Sequence, residues 1–337
     1  MTYLQEEDIM ISCHGCGAIK QIVDINKEGY TKNLDNEFCE RCFRIKHYND
    51  YKKIEKSNED FFPVIEEIRE TNDLVVLLVD LLNVPKNLGE LISAFNNPIL
   101  LVLSKRDLLP VSLYEDRIID YFSLYGRKIV DIMIISSAKN YHLDDLLLKI
   151  KKNQKSKNVY VVGYTNAGKS TLINKIISNY TKERPIITTS ILPSTTIEKI
   201  EIEIDDDLIL IDTPGLIEDG SIIQFVDEES LKKIVPKKVI KPITYQIKEK
   251  QYILLDDFAY VVLECENDIT LYMSNELEIK RVWNQPEETK FEERTFSIKR
   301  KEDIVIAGLG FIKVMKPAEV TVYTFKEVDV YTRKTLI

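Results

Sequence analysis

No apolar run in the 337 residues reaches the length of a membrane-crossing helix; the best stretch, Leu74 to Leu82, is short and carries Asp80. The N-terminus, "MTYLQEEDIM", lacks a signal-peptide pattern, so a cytoplasmic protein is expected. There is no excess of positive charge. A formal net charge of −9 argues against a generally basic coat for nucleic acid, though not against a local basic patch. Long repeats and low-complexity tracts are also absent. Cysteine is scarce: of five, four fall into two close pairs near the N-terminus, and Cys265 stands alone. In a cytosolic chain such pairs point to a metal rather than to disulfides.

What is present is a globular composition, 44% hydrophobic and 30% charged, long enough for two to three domains. Residues 1–57 are polar and hold the cysteine pairs. Residues 58–220 alternate short β-branched runs ("DLVVLLVD", "PILLVLS", "KIVDIMIIS", "KNVYVVG", "IEKIEIEI", "DLILID") with amphipathic stretches such as "HLDDLLLKIKK". That alternation predicts an α/β domain on a mostly parallel sheet. Residues 221–337 read mostly as strands, among them "YVVLECE", "ITLYMS", "RTFSIKR", "DIVIAGLGFIKVM" and "AEVTVYTF", and predict a separate β-rich domain; "QPEETKFEER" reads as an exposed loop.

Gly163-Tyr164-Thr165-Asn166-Ala167-Gly168-Lys169-Ser170, followed by Thr171, fits G-x-x-x-x-G-K-[ST]. A buried strand precedes it and a helix pattern follows. The glycines let backbone N–H groups turn toward phosphate oxygens, and the helix adds its positive end. Lys169 would reach the β- and γ-phosphates, and the Ser170 hydroxyl would ligate Mg²⁺. "LILIDTPG" supplies a strand ending in Asp212, able to hold Mg²⁺ through water, and Gly215, whose N–H can sense the γ-phosphate. The Thr-rich "TTSILPSTTIEKIEI" lies between them. A threonine there, Thr196 or else Thr195, could close over Mg²⁺ and the γ-phosphate, although Thr is also ordinary at a strand entry.

Two further strand ends lie upstream. Ser104-Lys105-Arg106-Asp107 resembles N/T-K-x-D, and Ser137-Ala138-Lys139 reads S-A-K. The Asp107 carboxylate can accept two hydrogen bonds that guanine offers and adenine does not. The Lys105 stem would lie over the base, and the Ala138 N–H would meet guanine O6. Either motif alone is weak; both, beside a phosphate loop, are much stronger. The order is base-reading motif, second base-reading motif, phosphate loop, switch threonine, D-T-P-G. It amounts to a circular permutation, with the old termini bridged by "LKIKKNQKSKN" from Leu148 to Asn158.

Cys13-x₂-Cys16 and Cys39-x₂-Cys42, 22 residues apart, predict a structural Cys₄ zinc site; His14 and His47 are expected at the surface. "RCFRIKHYNDYKK" mixes cations with aromatics, and "LKKIVPKKVIKP" holds five lysines and no acid. A solvated face is the commoner explanation of such runs, but in an acidic protein they incline toward rRNA contact.

Together with "CHGCGAIKQ", "CERCFRIKHYND", "NPILLVLSKRDLLP", "ITTSILPSTT", "GLGFIKV" and "YTRKTLI", this order resembles the YqeH family of circularly permuted GTPases over nearly the whole chain. The resemblance implies a GTPase acting in small ribosomal subunit assembly, with a zinc-binding N-terminal module and an RNA- or protein-binding C-terminal domain. Its cofactors would be GTP/GDP, Mg²⁺ and Zn²⁺. Its partners would be rRNA and ribosomal proteins, not DNA or membrane. Asn166 matches a position that holds K⁺ in cation-dependent relatives. There are departures: Ser104 stands where the family has Asn, so weakened guanine affinity is expected, and Leu216 stands where Ras-type switches have a water-orienting glutamine. These departures motivate an alternative, a zinc-stabilised RNA-binding scaffold with weak nucleotide binding and negligible turnover.

Overall fold

The computed structural model describes residues 13, 19–24, 29–40, 61–180, 187–190, 199–287 and 291–337. Its centre is β1 (Leu74–Asp80), buried at every position. A run of Leu and Val with no polar alternation suits a strand covered on both faces. β2 (Ile99–Ser104), β3 (Ile129–Ile134), β4 (Asn158–Gly163) and β7 (Leu208–Asp212) join it in a seven-stranded sheet of order β3-β2-β1-β4-β7-β6-β5, with β5 (Ile187–Ser190) and β6 (Lys199–Asp205) at the far edge. The first five strands in that order are parallel neighbours; β6 and β5 are antiparallel. Chain order therefore walks outward from β1 to β3, then returns to β1's other side with β4. Ligands of open parallel sheets lie at the carboxyl edge, at such a reversal.

Helices α1 (Phe62–Arg69), α2 (Leu88–Ala94), α3 (Glu115–Ser123), α4 (Leu143–Asn153) and α5 (Lys169–Tyr180) flank the sheet. Their buried residues follow the helical period: Leu143, Leu146, Leu147 and Ile150 on α4, Leu172, Ile173 and Ile176 on α5. The return from β3 to β4 is made by α4 and a four-residue link, 154–157, as the polar "LKIKKNQKSKN" stretch implies.

After a short helix, α6 (Glu228–Ile234), the chain forms ten strands: β8 (Ile243–Ile247), β9 (Gln251–Leu255), β10 (Ala259–Leu263), β11 (Asn267–Met273), β12 (Ile279–Val282), β13 (Glu292–Ile298), β14 (Glu302–Ile306), β15 (Gly310–Val314), β16 (Ala318–Thr324) and β17 (Val330–Lys334). They make two five-stranded sheets, β12-β9-β10-β16-β13 and β17-β14-β15-β11-β8, with antiparallel pairing throughout. Alternate residues of both, including Val261, Leu263, Val320, Ile304, Ile312 and Leu271, share one core. "DIVIAGLGFIKVM" is a hairpin of two strands, turned at Gly308, which has φ +80°. The last three residues of "QPEETKFEER" are strand β13 rather than loop, paired with β16.

The β17-β14-β15-β11-β8 sheet is buried on its other face too. Tyr272, Val305 and Phe311 belong to the core that contains β1 and α3. The Arg333 guanidinium lies 4.7 Å over the Phe311 ring, with its Nε 3.2 Å from the fully buried Asp303 carboxylate. Backbone bonds cross the same boundary: the Ile222 N–H donates to Ala307 O (2.9 Å), Asp329 to Gly220 O (2.8 Å) and Ile240 to Leu108 O (2.8 Å).

Candidate functional site

The carboxyl ends of β1, β2, β3, β4 and β7 converge on one edge because the strands are parallel. The phosphate loop leaves β4 there. Its two glycines have different physical reasons. A Cβ on Gly163 would sit 2.9 Å from Leu78 O, so glycine permits the close approach of β1. Gly168 instead has φ +92° with nothing within 4 Å of a Cβ, so the backbone conformation alone requires it. Asn166 is also left-handed, at φ +64°. The outcome is a loop with Ala167 buried, Thr165 and Asn166 exposed, and Ser170 and Thr171 exposed in the first turn of α5.

Lys169, which opens α5, reaches across to β7. Its Nζ donates to Asp212 Oδ1 and Thr213 O. Burial pushes the Asp212 carboxyl above its ordinary range, while the Lys169 ammonium pulls the other way. The D-T-P-G segment then lies along the phosphate loop: the Thr165 N–H donates to Leu216 O (2.7 Å) and the Leu216 N–H to Gly163 O (3.0 Å). Gly215 packs so tightly that a Cβ would meet Thr165 Cγ2 at 3.1 Å. The Leu216 side chain is in the core. Thr195 and Thr196 lie outside the described residues.

The base-reading loop is tied to the same edge. Ser104, buried at the end of β2, donates from Oγ to Ala167 O at 2.6 Å and approaches Val79 O at 3.2 Å. Serine is shorter than the family's asparagine, yet it spans the gap to the phosphate loop. Lys105 takes φ +62°, and its Nζ lies 2.8 Å from Asp80 Oδ2. That contact anchors the tip of the lysine and leaves its aliphatic stem as the part able to cover a base. Arg106 turns away, with Nε 2.5 Å from Glu115 Oε1 and its guanidinium on the Leu109 and Pro110 carbonyls. Asp107 Oδ1 accepts a 2.5 Å bond from Ser136 Oγ, which also accepts from the Lys139 N–H at 3.1 Å. Ser137 is buried, whereas Ala138 and Lys139 are exposed.

Sequence reasoning missed two of these residues. Ser136 links the two base-reading loops, and the doubled serine at the strand end was the only signal for it. Asp80 read as a polar interruption of an apolar run; its partner lies 25 residues away. A third is Glu218, just past D-T-P-G. With Asp80, Asn83, Asn166 and Gln224 it lines a small cavity of about 20 Å³ beside the phosphate loop. Burial, reinforced by the Asp329 and Asp80 carboxylates, pushes its carboxyl up to about 7.

The N-terminal cysteines are only partly described. Cys13 and Cys39 are 2% and 1% exposed, and the Cys39 N–H donates to Cys13 Sγ at 3.0 Å. Cys16, Cys42, His14 and His47 lie outside the described residues. Among the described residues no group of three or more ligands is placed to hold a metal.

Residues 85–221 match the family described as RsgA GTPase, and residues 158–295 the family described as 50S ribosome-binding GTPase. The second match opens at β4, where a domain in the usual order begins; the first opens upstream and takes in the base-reading strand ends before the phosphate loop. The fold and this edge thus define a circularly permuted P-loop GTPase with a β-rich C-terminal region, which hydrolyses GTP and, like its class, holds GTP or GDP with Mg²⁺. The chain is 36% identical to a Bacillus subtilis protein, "Uncharacterized protein YqeH", over 97% of its own length and 99% of the relative's. It belongs to the YqeH family. It is also 24% identical to the NO-associated protein 1 of Arabidopsis thaliana, covering 70% of this chain and 48% of that protein. To GTPase Der of Alkaliphilus oremlandii it is 26% identical, over 54% of this chain and 44% of that protein. No helix among the described residues is long and apolar enough to cross a membrane.

The donors present suit Mg²⁺: the Ser170 hydroxyl and the Asp212 carboxylate are hard oxygens, and the Asp212 carboxylate is held by the Lys169 ammonium.

Proposed function

We propose that this GTPase is a guanine-nucleotide switch in the assembly of the small ribosomal subunit. The observation that carries the switch is continuity. The D-T-P-G segment is hydrogen-bonded to the phosphate loop at Leu216, and within six residues the same chain is hydrogen-bonded to the C-terminal domain at Gly220 and Ile222. No linker intervenes to absorb a movement.

In this reading Asp107, held by Ser136, accepts the guanine edge; Lys105 and the Ala138 N–H complete the base site with Ser137 and Lys139. Backbone N–H groups of Gly163 to Thr171 cradle phosphates, and Lys169 moves from Asp212 to the β- and γ-phosphates. Ser170, Asp212 and Thr196 would hold Mg²⁺, which would offset the charge of the phosphates. Leu216 has no group to orient water and is committed to the core, so attack does not rely on a side chain there. Asn166, exposed at the loop's left-handed turn, would hold K⁺ in this reading. Hydrolysis rates equal in KCl and NaCl would contradict that role. Cys13, Cys16, Cys39 and Cys42 form a structural Zn²⁺ site; two buried sulfurs, one accepting a backbone N–H, support it. The polar N-terminal region, 1–57, the switch domain, 58–220, and the β-rich remainder, 221–337, act as three parts.

One matching family carries the 50S subunit in its description, so the test compares both subunits. Multiple-turnover GTP hydrolysis is expected to rise with small subunits and not with large ones. Negligible turnover under every condition would favour a zinc-stabilised RNA-binding scaffold instead.

A further inference from the structure

Strands β1 and β2 end side by side. Asp80 is paired with Ser104 in register, so the last residue of β1 stands next to the start of the base-reading loop. Asp80 is 6% exposed, and a lone carboxylate there would be costly. It is not alone. Its Oδ1 accepts from the Leu82 N–H at 2.9 Å, and its Oδ2 accepts from Lys105 Nζ at 2.8 Å. The first bond belongs to the turn that leaves β1 and fixes the carboxylate. The second reaches across to the neighbouring strand end.

Lys105 is thereby held at both ends. Its backbone is left-handed, and its carbonyl accepts from the Leu108 N–H at 3.0 Å. The next residue, Arg106, donates its N–H to Ile135 O at 3.1 Å, which ties the loop to the end of β3. At the other end the ammonium is on Asp80. The methylenes between have their conformation chosen before any base arrives. A free lysine would lose that freedom on binding, and affinity would fall accordingly. The pair is also shielded, with side-chain exposures of 21% for Lys105 and 7% for Asp80, so solvent does not dilute it as it does a surface ion pair.

Ser104 gives the pair its weight. A hydroxyl has one proton, and two carbonyls lie near it, Ala167 O and Val79 O. It can donate to only one of them, where an asparagine amide would offer two N–H donors. One brace of the base-reading loop is given up at Ser104, and the Asp80–Lys105 pair supplies another across the same two strands.

We propose that Asp80 is a positioning residue for guanine-nucleotide affinity: it presets the Lys105 stem to cover the base, and it acts through that lysine alone. The proposal rests on the reading in which the Lys105 stem covers the guanine.

The test is a nucleotide titration of the full chain. Asp80→Asn keeps an oxygen for the Leu82 N–H and removes the charge that holds the ammonium. It should weaken GTP and GDP alike, by about five- to tenfold, because both carry the same base. The kcat at saturating GTP should stay within about twofold, since no phosphate contact is touched. The preference for GTP over inosine triphosphate should be unchanged, because Asp107 reads the amine that inosine lacks, whereas a lysine stem covers either base. Lys105→Ala should weaken both nucleotides at least as much. The double variant should match Lys105→Ala within about twofold, since Asp80 then has nothing left to position. Thermal melting of each variant reports that it is folded. Unaltered affinity of folded Asp80→Asn, a further loss in the double variant, or a collapsed preference for GTP over inosine triphosphate would overturn the proposal. Weakened Lys105→Ala beside unaltered Asp80→Asn would overturn it and leave the base-covering reading standing. Lys105→Ala that binds GDP as tightly as the parent would overturn both.

Discussion

Ser104 shows how little a side chain's length says without its surroundings. Its hydroxyl reaches Ala167 O at 2.6 Å because β1 and β4 run so close at Gly163 that the phosphate loop turns directly over the end of β2. Removing the hydroxyl leaves a buried carbonyl without that donor, which costs about 1–1.5 kcal/mol. Ser104→Ala should therefore weaken GTP binding by roughly five- to tenfold in a nucleotide titration; unchanged affinity would mean that the loop does not depend on this bond. The remaining site chemistry at this scale divides by range. The phosphate-loop residues, Asp107 and Asp212 were legible because each sits in a short motif at a strand end. Asp80, Ser136 and Glu218 were not, because each acquires its role from a partner brought close by the sheet.

Among elements, the segment from Gly215 to Ile222 is the most constrained. Gly308 meets it from the β14–β15 turn with φ +80°, and a Cβ there would fall 2.2 Å from Ser221 Oγ and 3.2 Å from the Ile222 nitrogen. Gly308→Ala should destabilise the protein by about 1–2 kcal/mol, read as a lowered Tm, since the left-handed backbone and the crowding both oppose it. Glu218, in the same segment, gives a pH signature. Its carboxyl keeps a proton up to about 7 in the folded chain but releases it near 4.5 when unfolded. Between those values the folded state binds more protons, so this contribution is complete below 4.5 and is lost as pH rises through 7. Glu218→Gln should gain stability over the parent by about 1–2 kcal/mol at pH 8 and little at pH 5. An equal Tm difference at both pH values would contradict the burial of this carboxyl against Asp329 and Asp80. Strand β17 and the edges β8 and β12 were missed from sequence for a related reason: "VYTRK", "ITYQI" and "IKRV" are half polar, and only their neighbours make them strands.

At the scale of the molecule, permutation moves the break in the chain and keeps the sheet. Strand periodicity and motif order made the GTPase half readable, because fully buried parallel strands leave continuous apolar runs. How the C-terminal sheets sit was not readable: Tyr272, Val305 and Phe311 look like ordinary strand residues until the GTPase core covers them. That packing, with the short path from Gly215 to Ile222, joins the C-terminal domain directly to the segment that is hydrogen-bonded to the phosphate loop. The most direct test is co-sedimentation of the full chain with purified small and large ribosomal subunits, in a non-hydrolysable GTP analogue, in GDP and without nucleotide. The protein is expected to pellet with small subunits in the analogue and to be released in GDP. Equal pelleting in all three conditions, or pelleting with large subunits alone, would contradict it.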